Sequence, residues 1–211
     1  MKRKRILALF LAAVSCLSLA VSASAAGTTT RKATDFKDYD RTAWYAEAVS
    51  AAVDNGLLYG KSATVIDPNG DMTRAEMAAI INRSFGCYKA ADISQYKDVA
   101  KSKWYYKDVA MAVQMGTYNG RSASSMAPDA PITRQEAMTV VARALELDYD
   151  SYSKTDLSAF SDRSEISNWA LPYVRAMIGA DYIHGRGKIL APLDNLSLIH
   201  IWQTVCTGKT A

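Results

Sequence analysis

A sixty-residue internal repeat constrains this chain more than any other feature. Phe36-Lys37-Asp38 returns as Tyr96-Lys97-Asp98, Trp44-Tyr45 as Trp104-Tyr105, and Gly56 and Gly60 as Gly116 and Gly120. Pro68 returns as Pro128, and Thr73-Arg74 with Glu76 as Thr133-Arg134 with Glu136. Every offset is 60, without a gap. A third copy begins at Phe160-Ser161-Asp162 and runs through Trp169, Gly185 and Pro192, and the Trp-to-Gly spacing is 16 in all three copies.

Each copy reads as helix, loop, helix. Tyr45, Val49, Ala52 and Val53 fall on one helical face, and Gly56 suits the left-handed backbone that ends such a helix. Asp181 holds the corresponding place in the third copy, which makes that helix end less well specified. The second helix is expected from Thr73, with Met77, Ile80 and Ile81 on one side. Tyr105, Val109, Ala112 and Val113, then Val140, Val141 and Ala144, repeat both faces. The polar stretches 88–95 and 147–159 read as linkers. A two-helix unit of this size cannot bury its apolar face alone, so the copies must pack together. Val49, Val109 and Val174 are expected in the core. Trp44, Trp104 and Trp169 read first as core, with a groove between copies as the alternative. The expected architecture is all-α: tandem helix-loop-helix repeats over 36–87 and 96–146, and an incomplete one over 160–196.

The chain opens MKRKRILALFLAAVSCLSLAVSASA, a basic start, a long apolar run and an Ala-Ser-Ala exit. This reads as a secretory signal peptide over 1–25. Four of the 25 basic residues of the chain are Lys2, Arg3, Lys4 and Arg5, which leaves 21 against 21 acidic ones. A neutral mature protein offers no footprint for nucleic acid. No later segment is apolar and long enough to span a membrane, so no membrane partner is expected once the signal is cleaved. Cys87 and Cys206 stand far apart and form neither a disulfide framework nor a metal spacing. No nucleophile elbow, zinc-helix or phosphate-loop motif occurs. Asp67, Asn69 and Asp71 mimic the start of a calcium loop, but Met72 stands where that loop needs glycine. A non-enzymatic protein without cofactor or metal is expected.

Thr-x-x-Glu ahead of an apolar run is a capping box, so Thr73 with Glu76 and Thr133 with Glu136 have a structural explanation. Arg74 and Arg134 do not. A cation in the first turn opposes the helix dipole unless an anion lies nearby. Such an anion would be held by the helix end and the guanidinium fork together. It could equally be an acidic side chain of a neighbouring copy, with Asp38 and Asp98 as candidates.

The order Phe-x-Asp, Trp-Tyr, Gly-x-x-x-Gly, Pro, then Thr-Arg-x-Glu, in copies of about sixty residues, resembles the S-layer homology repeat of bacterial surface proteins. The resemblance covers most of residues 36–196. It implies three repeats folded as a pseudo-trimer, with the second helices in a central bundle. It also implies non-covalent attachment, at the bacterial cell surface, to a secondary cell-wall polysaccharide that typically bears a pyruvate ketal. On that likeness, Arg74 and Arg134 bind the ketal carboxylate. Gly60 and Gly120 let sugar approach the backbone, and Trp44, Trp104 and Trp169 shape grooves between repeats.

The third copy breaks off. Leu196 matches Met72 and Ser197 matches Thr73, so position 198 should hold arginine; it holds leucine, in the run LSLIHIW. LSLIHI is also encoded by CTGTCTCTTATACACATC, which resembles a transposon end used in sequencing-library preparation. Residues 197–211 are therefore expected to be a non-native tail, with His200, Trp202 and Cys206 carrying no meaning. Without its second helix, the stretch 160–195 is expected to pack irregularly. The chain is expected to be either a wall-binding module or the N-terminal anchor of a larger surface enzyme or S-layer subunit.

Overall fold

A computed structural model describes residues 31–197. The signal-peptide stretch 1–25 and residues 198–211, with His200, Trp202 and Cys206, lie outside the described residues. Among the described residues there are five α-helices and no strand, and no helix is long and apolar enough to cross a membrane. They are α1 Ala46–Asp54, α2 Arg74–Phe85, α3 Tyr106–Gln114, α4 Arg134–Ala144 and α5 Leu171–Gly179. The mainly helical architecture matches the expectation from periodicity.

The helices begin and end where local chemistry dictates. Thr73 accepts the Glu76 N–H, and Glu76 reaches back to the Thr73 N–H; Thr133 and Glu136 do the same. Gly56 and Gly116 end the first helices with positive φ. Asp181 adopts the same left-handed backbone at φ 64°, so an aspartate serves where the other copies use glycine.

The chain closes on itself through three backbone hydrogen bonds. The Met72 N–H donates to Leu196 O at 2.8 Å, the Leu196 N–H to Ile132 O at 2.9 Å, and the Ile132 N–H to Met72 O at 2.9 Å. Positions 72, 132 and 196 are equivalent in the repeat, so the three copies stand around a pseudo-threefold axis. Isolated bridges Thr73–Pro131, Thr133–Asn195 and Asp71–Ser197 flank the ring. Met72, Ile132 and Leu196 are all buried. Around this ring, α2 packs on α3, α4 packs on α5, and α2 touches α4. Each second helix thus lies against the first helix of the next copy. The predicted apolar faces are buried: Met77, Ile80 and Ile81 on α2, and Val140, Val141 and Ala144 on α4.

The third copy does not pack irregularly. Ala170, Val174, Met177 and Leu190 are fully buried, and α5 packs against α4 of the second copy. The tryptophans depart from the core reading. Trp44, Trp104 and Trp169 are 58%, 61% and 52% exposed. The following position goes inside instead, as Tyr105 and Ala170.

The first motif of each copy is a latch. Asp38 accepts the N–H groups of Ile66 and Asp67, Asp98 those of Met126 and Ala127, and Asp162 those of Leu190 and Ala191. Asp67, Ala127 and Ala191 all have positive φ, a conformation that costs an L-residue about 1 kcal/mol. The carboxylate offsets that cost and fixes the loop. The aromatic ring two residues before each aspartate fills the space a side chain would need at the loop glycine. A Cβ on Gly60 would lie 2.5 Å from the Phe36 ring, and one on Gly120 2.6 Å from the Tyr96 ring.

Burial pushes the Asp38 carboxyl up, but the Ile66 and Asp67 N–H groups outweigh it and hold it below the ordinary carboxylate value. Asp98 behaves alike, with Met126 N–H, the Ser125 hydroxyl and Ala127 N–H overcoming burial. A carboxylate with a lower pKa folded than unfolded stabilises fully above the unfolded value, about 3.9, and loses that contribution as pH falls through the folded value. The melting temperature, followed by circular dichroism, is expected to hold from pH 7 to 5 and to fall below about pH 4. Asp38→Asn with Asp98→Asn is expected to melt lower at pH 7 and to show a shallower acid dependence.

Candidate functional site

Arg74 is 6% exposed and lies inside the second repeat. Its Nε donates to Met126 O at 3.0 Å and its Nη1 to Glu136 Oε1 at 3.0 Å. Its guanidinium stands 5.2 Å from the Tyr118 ring centroid, and the Tyr118 hydroxyl donates to Arg74 O. Arg121 grips the same Glu136 with a two-point fork, Nε to Oε1 at 3.1 Å and Nη2 to Oε2 at 3.2 Å. Glu136 Oε2 also caps its own helix through the Thr133 N–H. One carboxylate therefore joins two guanidinium groups from adjacent copies. Asp38 and Asp98, the expected partners, are occupied as loop latches.

The helix ends do not offer free donors to an outside anion. The Arg74 and Ala75 N–H groups donate to Ala130 O and Pro128 O, and those of Arg134 and Gln135 to Asp194 O and Pro192 O. The next N–H in each helix is spent on its threonine cap. An external anion at these arginines can be met only by side chains.

Arg134 enters the third copy as Arg74 enters the second. It is 4% exposed, and its Nε donates to Leu190 O at 2.8 Å. Its surroundings differ. Ile183 stands where the second copy has Tyr118, Arg186 stands where it has Arg121, and the position of Glu136 falls at residue 200, outside the described residues. Burial lowers the Arg134 pKa, and the Arg186 guanidinium lowers it further, with Asp194 and Asp162 acting in the opposite sense. Among the described residues no carboxylate bridges Arg134 to Arg186. The second cation of each pair was overlooked at the level of sequence, although its signal is plain. A basic residue follows the loop glycine in all three copies, as Lys61, Arg121 and Arg186.

A shallow groove of about 310 Å³ runs along the first copy. Gly60, Lys61, Met72, Glu76 and Arg83 line it, and Trp104 of the second copy forms its far wall. The structure thus brings Gly60, Glu76 and Trp104 together. Trp44 and Trp169 stand exposed at equivalent places, and Gly120 supports its own loop against Tyr96.

Residues 35–78 and 95–138 match the model of the S-layer homology domain. These two stretches are S-layer homology domains. The surface-layer 125 kDa protein of Lysinibacillus sphaericus is 32% identical over 72% of this chain and 13% of its own length. The middle cell wall protein of Brevibacillus brevis is 28% identical over 93% of this chain and 18% of its own. An endoglucanase of Bacillus sp. strain KSM-635 is 26% identical over 86% of this chain and 19% of its own. The chain spans less than a fifth of these relatives. The S-layer homology domains place it among cell-surface and cell-wall proteins.

The buried pair of Arg74 with Glu136 is the costly one to break. Glu136→Gln keeps the capping box but strands a buried guanidinium, and urea denaturation is expected to show a loss of about 3 kcal/mol. Glu76→Gln, whose ion pair with Lys61 is partly exposed, is expected to lose less than about 1 kcal/mol.

Proposed function

We propose that this chain is a non-enzymatic anchor that holds a secreted protein to the cell wall by binding secondary cell-wall polysaccharide through its pyruvyl carboxylates. The observation that carries the reading is the pairing of Arg134 with Arg186. Arg134 is buried and feels the charge of Arg186, and the two hold the repeat positions of Arg74 and Arg121, which close on the carboxylate of Glu136. A ketal carboxylate offers the same two oxygens at the same charge, and a guanidinium fork binds it in two-point fashion. Arg74 joins the binding set where a ligand carboxylate exchanges with Glu136. Thr73, Glu76, Thr133 and Glu136 hold these arginines in place by capping their helices. Trp44, Trp104 and Trp169, exposed at the copy boundaries, supply flat apolar faces for sugar rings. A polymer presents many ketals, so modest sites on one chain act together.

The relatives carry the matching stretch within much longer surface-layer and enzyme chains. In a second reading, the module is accordingly the N-terminal anchor of such a chain and its cargo lies elsewhere. A surface that binds other proteins instead would not depend on ketals.

Co-sedimentation with purified walls tests the reading. Arg134→Ala is expected to weaken binding about tenfold, and Arg74→Ala with Arg134→Ala to abolish it, with folding checked by circular dichroism. Wild-type binding is expected to fall likewise on walls stripped of pyruvate by mild acid. Undiminished binding to stripped walls would sink the carboxylate reading while leaving wall anchoring intact.

A further inference from the structure

Three asparagines of this chain are followed by glycine: Asn55-Gly56, Asn69-Gly70 and Asn119-Gly120. Glycine has no Cβ to shield its nitrogen, so in this pair the backbone nitrogen most readily attacks the side-chain amide before it. The structure treats the three pairs differently. At the end of α1, Asn55 Nδ2 donates to Ala51 O at 2.8 Å and the Gly56 N–H to Val53 O at 3.0 Å. The Gly70 N–H donates to Asp67 O at 3.2 Å, and a Cβ on Gly70 would collide with the Asp67 carboxylate. Asn119 is exposed. Among the described residues neither its side chain nor the Gly120 N–H has a hydrogen-bond partner.

We propose that Asn119 is a modification site that deamidates at the junction of the first two copies. The Gly120 nitrogen bonds to Asn119 Cγ, and the side-chain nitrogen leaves as ammonia, taking the Gly120 proton. Water then opens the resulting imide at one of its two carbonyls. Opening at Cγ leaves aspartate; opening at the backbone carbonyl leaves isoaspartate, with one more carbon in the main chain. That extra carbon falls where the loop has least slack. Tyr118, one residue earlier, is buried and donates its hydroxyl to Arg74 O. Gly120, at φ 77°, has no room for a Cβ beside the Tyr96 ring. Arg121, one residue later, holds Glu136 by two points. A longer chain between Tyr118 and Gly120 cannot keep all three in place, so the product loosens the hold on Arg74. Tyr59 and His184 stand before the loop glycine in the other copies, and only the second copy carries the reactive pair there. The assignment rests on loop geometry and is independent of which wall polymer is bound.

Ageing the full chain at mildly alkaline pH, folded and in urea, tests it, with peptide mass spectrometry and isoaspartyl methyltransferase labelling as the readouts. In urea the three pairs are expected to react alike. In the folded chain Asn119 is expected to keep most of that rate, while Asn55 is slowed about tenfold by the hydrogen bonds it must first break. The aged chain is expected to melt about 4 °C lower. The Asn119→Gln chain, whose side chain would have to close a larger ring, is expected to show no such fall. Slower reaction at Asn119 than at Asn55 or Asn69 overturns the assignment, as does a fall in melting temperature that persists in Asn119→Gln. Isoaspartate at Asn119 with an unchanged melting temperature overturns its coupling to the junction.

Discussion

Three hydrogen bonds from Met72 to Leu196, Leu196 to Ile132 and Ile132 to Met72 form a cycle in which every copy both gives and receives. The groups are buried, so an open cycle would leave a donor and an acceptor without water or partner, at about 1–3 kcal/mol each. A cycle of three also fixes register. Shifting one copy by one residue would turn its side chain out of the core and break both of its bonds. The helices follow from this constraint. The two described second helices start one residue after Thr73 and Thr133, and each passes over the first helix of the next copy.

That passing explains why an arginine can sit in the first turn of a helix. Electrostatics within the helix disfavours it, but the residue does not act within its own helix. It extends into the next copy, where a loop carbonyl and, for Arg74, a glutamate receive it. A buried ion pair is weak evidence for stability and better evidence for specificity. Here it distinguishes the correct neighbour, because only a copy with its latch closed presents the carbonyl of Met126 or Leu190 at the right place. The Asp98 and Asp162 latches and the Arg74 and Arg134 insertions are therefore coupled: the first shapes the acceptor that the second uses.

The local part of this arrangement was legible in the sequence. Capping boxes, helix faces and helix-ending glycines depend on neighbours within a few residues, and the structure has them where the spacing puts them. What crosses between copies was less legible. The burial of Trp44, Trp104 and Trp169 depends on what lies beyond each first helix, which periodicity does not reveal, so a hydrophobic residue was assigned inward and stands outward. The partner of Arg74 was sought in Asp38 or Asp98, since these are acidic and repeated. Backbone N–H groups in a left-handed loop had the stronger need for those carboxylates, and nothing in composition announces such a loop at Ala127 or Ala191. The glycines were read as room for sugar. Gly60 does line the groove, but the nearer demand at Gly60 and Gly120 is room for an aromatic ring from the same copy.

In the proposed function the same few groups bear on both folding and binding, and the difference between the two roles is one carboxylate. Arg74 and Arg121 converge on Glu136, and the interface between the first two copies is satisfied from within. Among the described residues no carboxylate bridges Arg134 to Arg186, and burial together with the charge of Arg186 weighs on Arg134, with Asp194 and Asp162 opposing. In the proposed function a ligand carboxylate relieves that repulsion. The energy for recognition then comes from a site whose geometry the fold has already fixed, and little ordering cost remains when the polymer arrives. In the proposed function, a side-chain carboxylate from a neighbouring copy and a ketal carboxylate from the wall compete for one chemical role. On that proposal, the affinity of each groove for the wall is set by how completely the protein has filled that role itself.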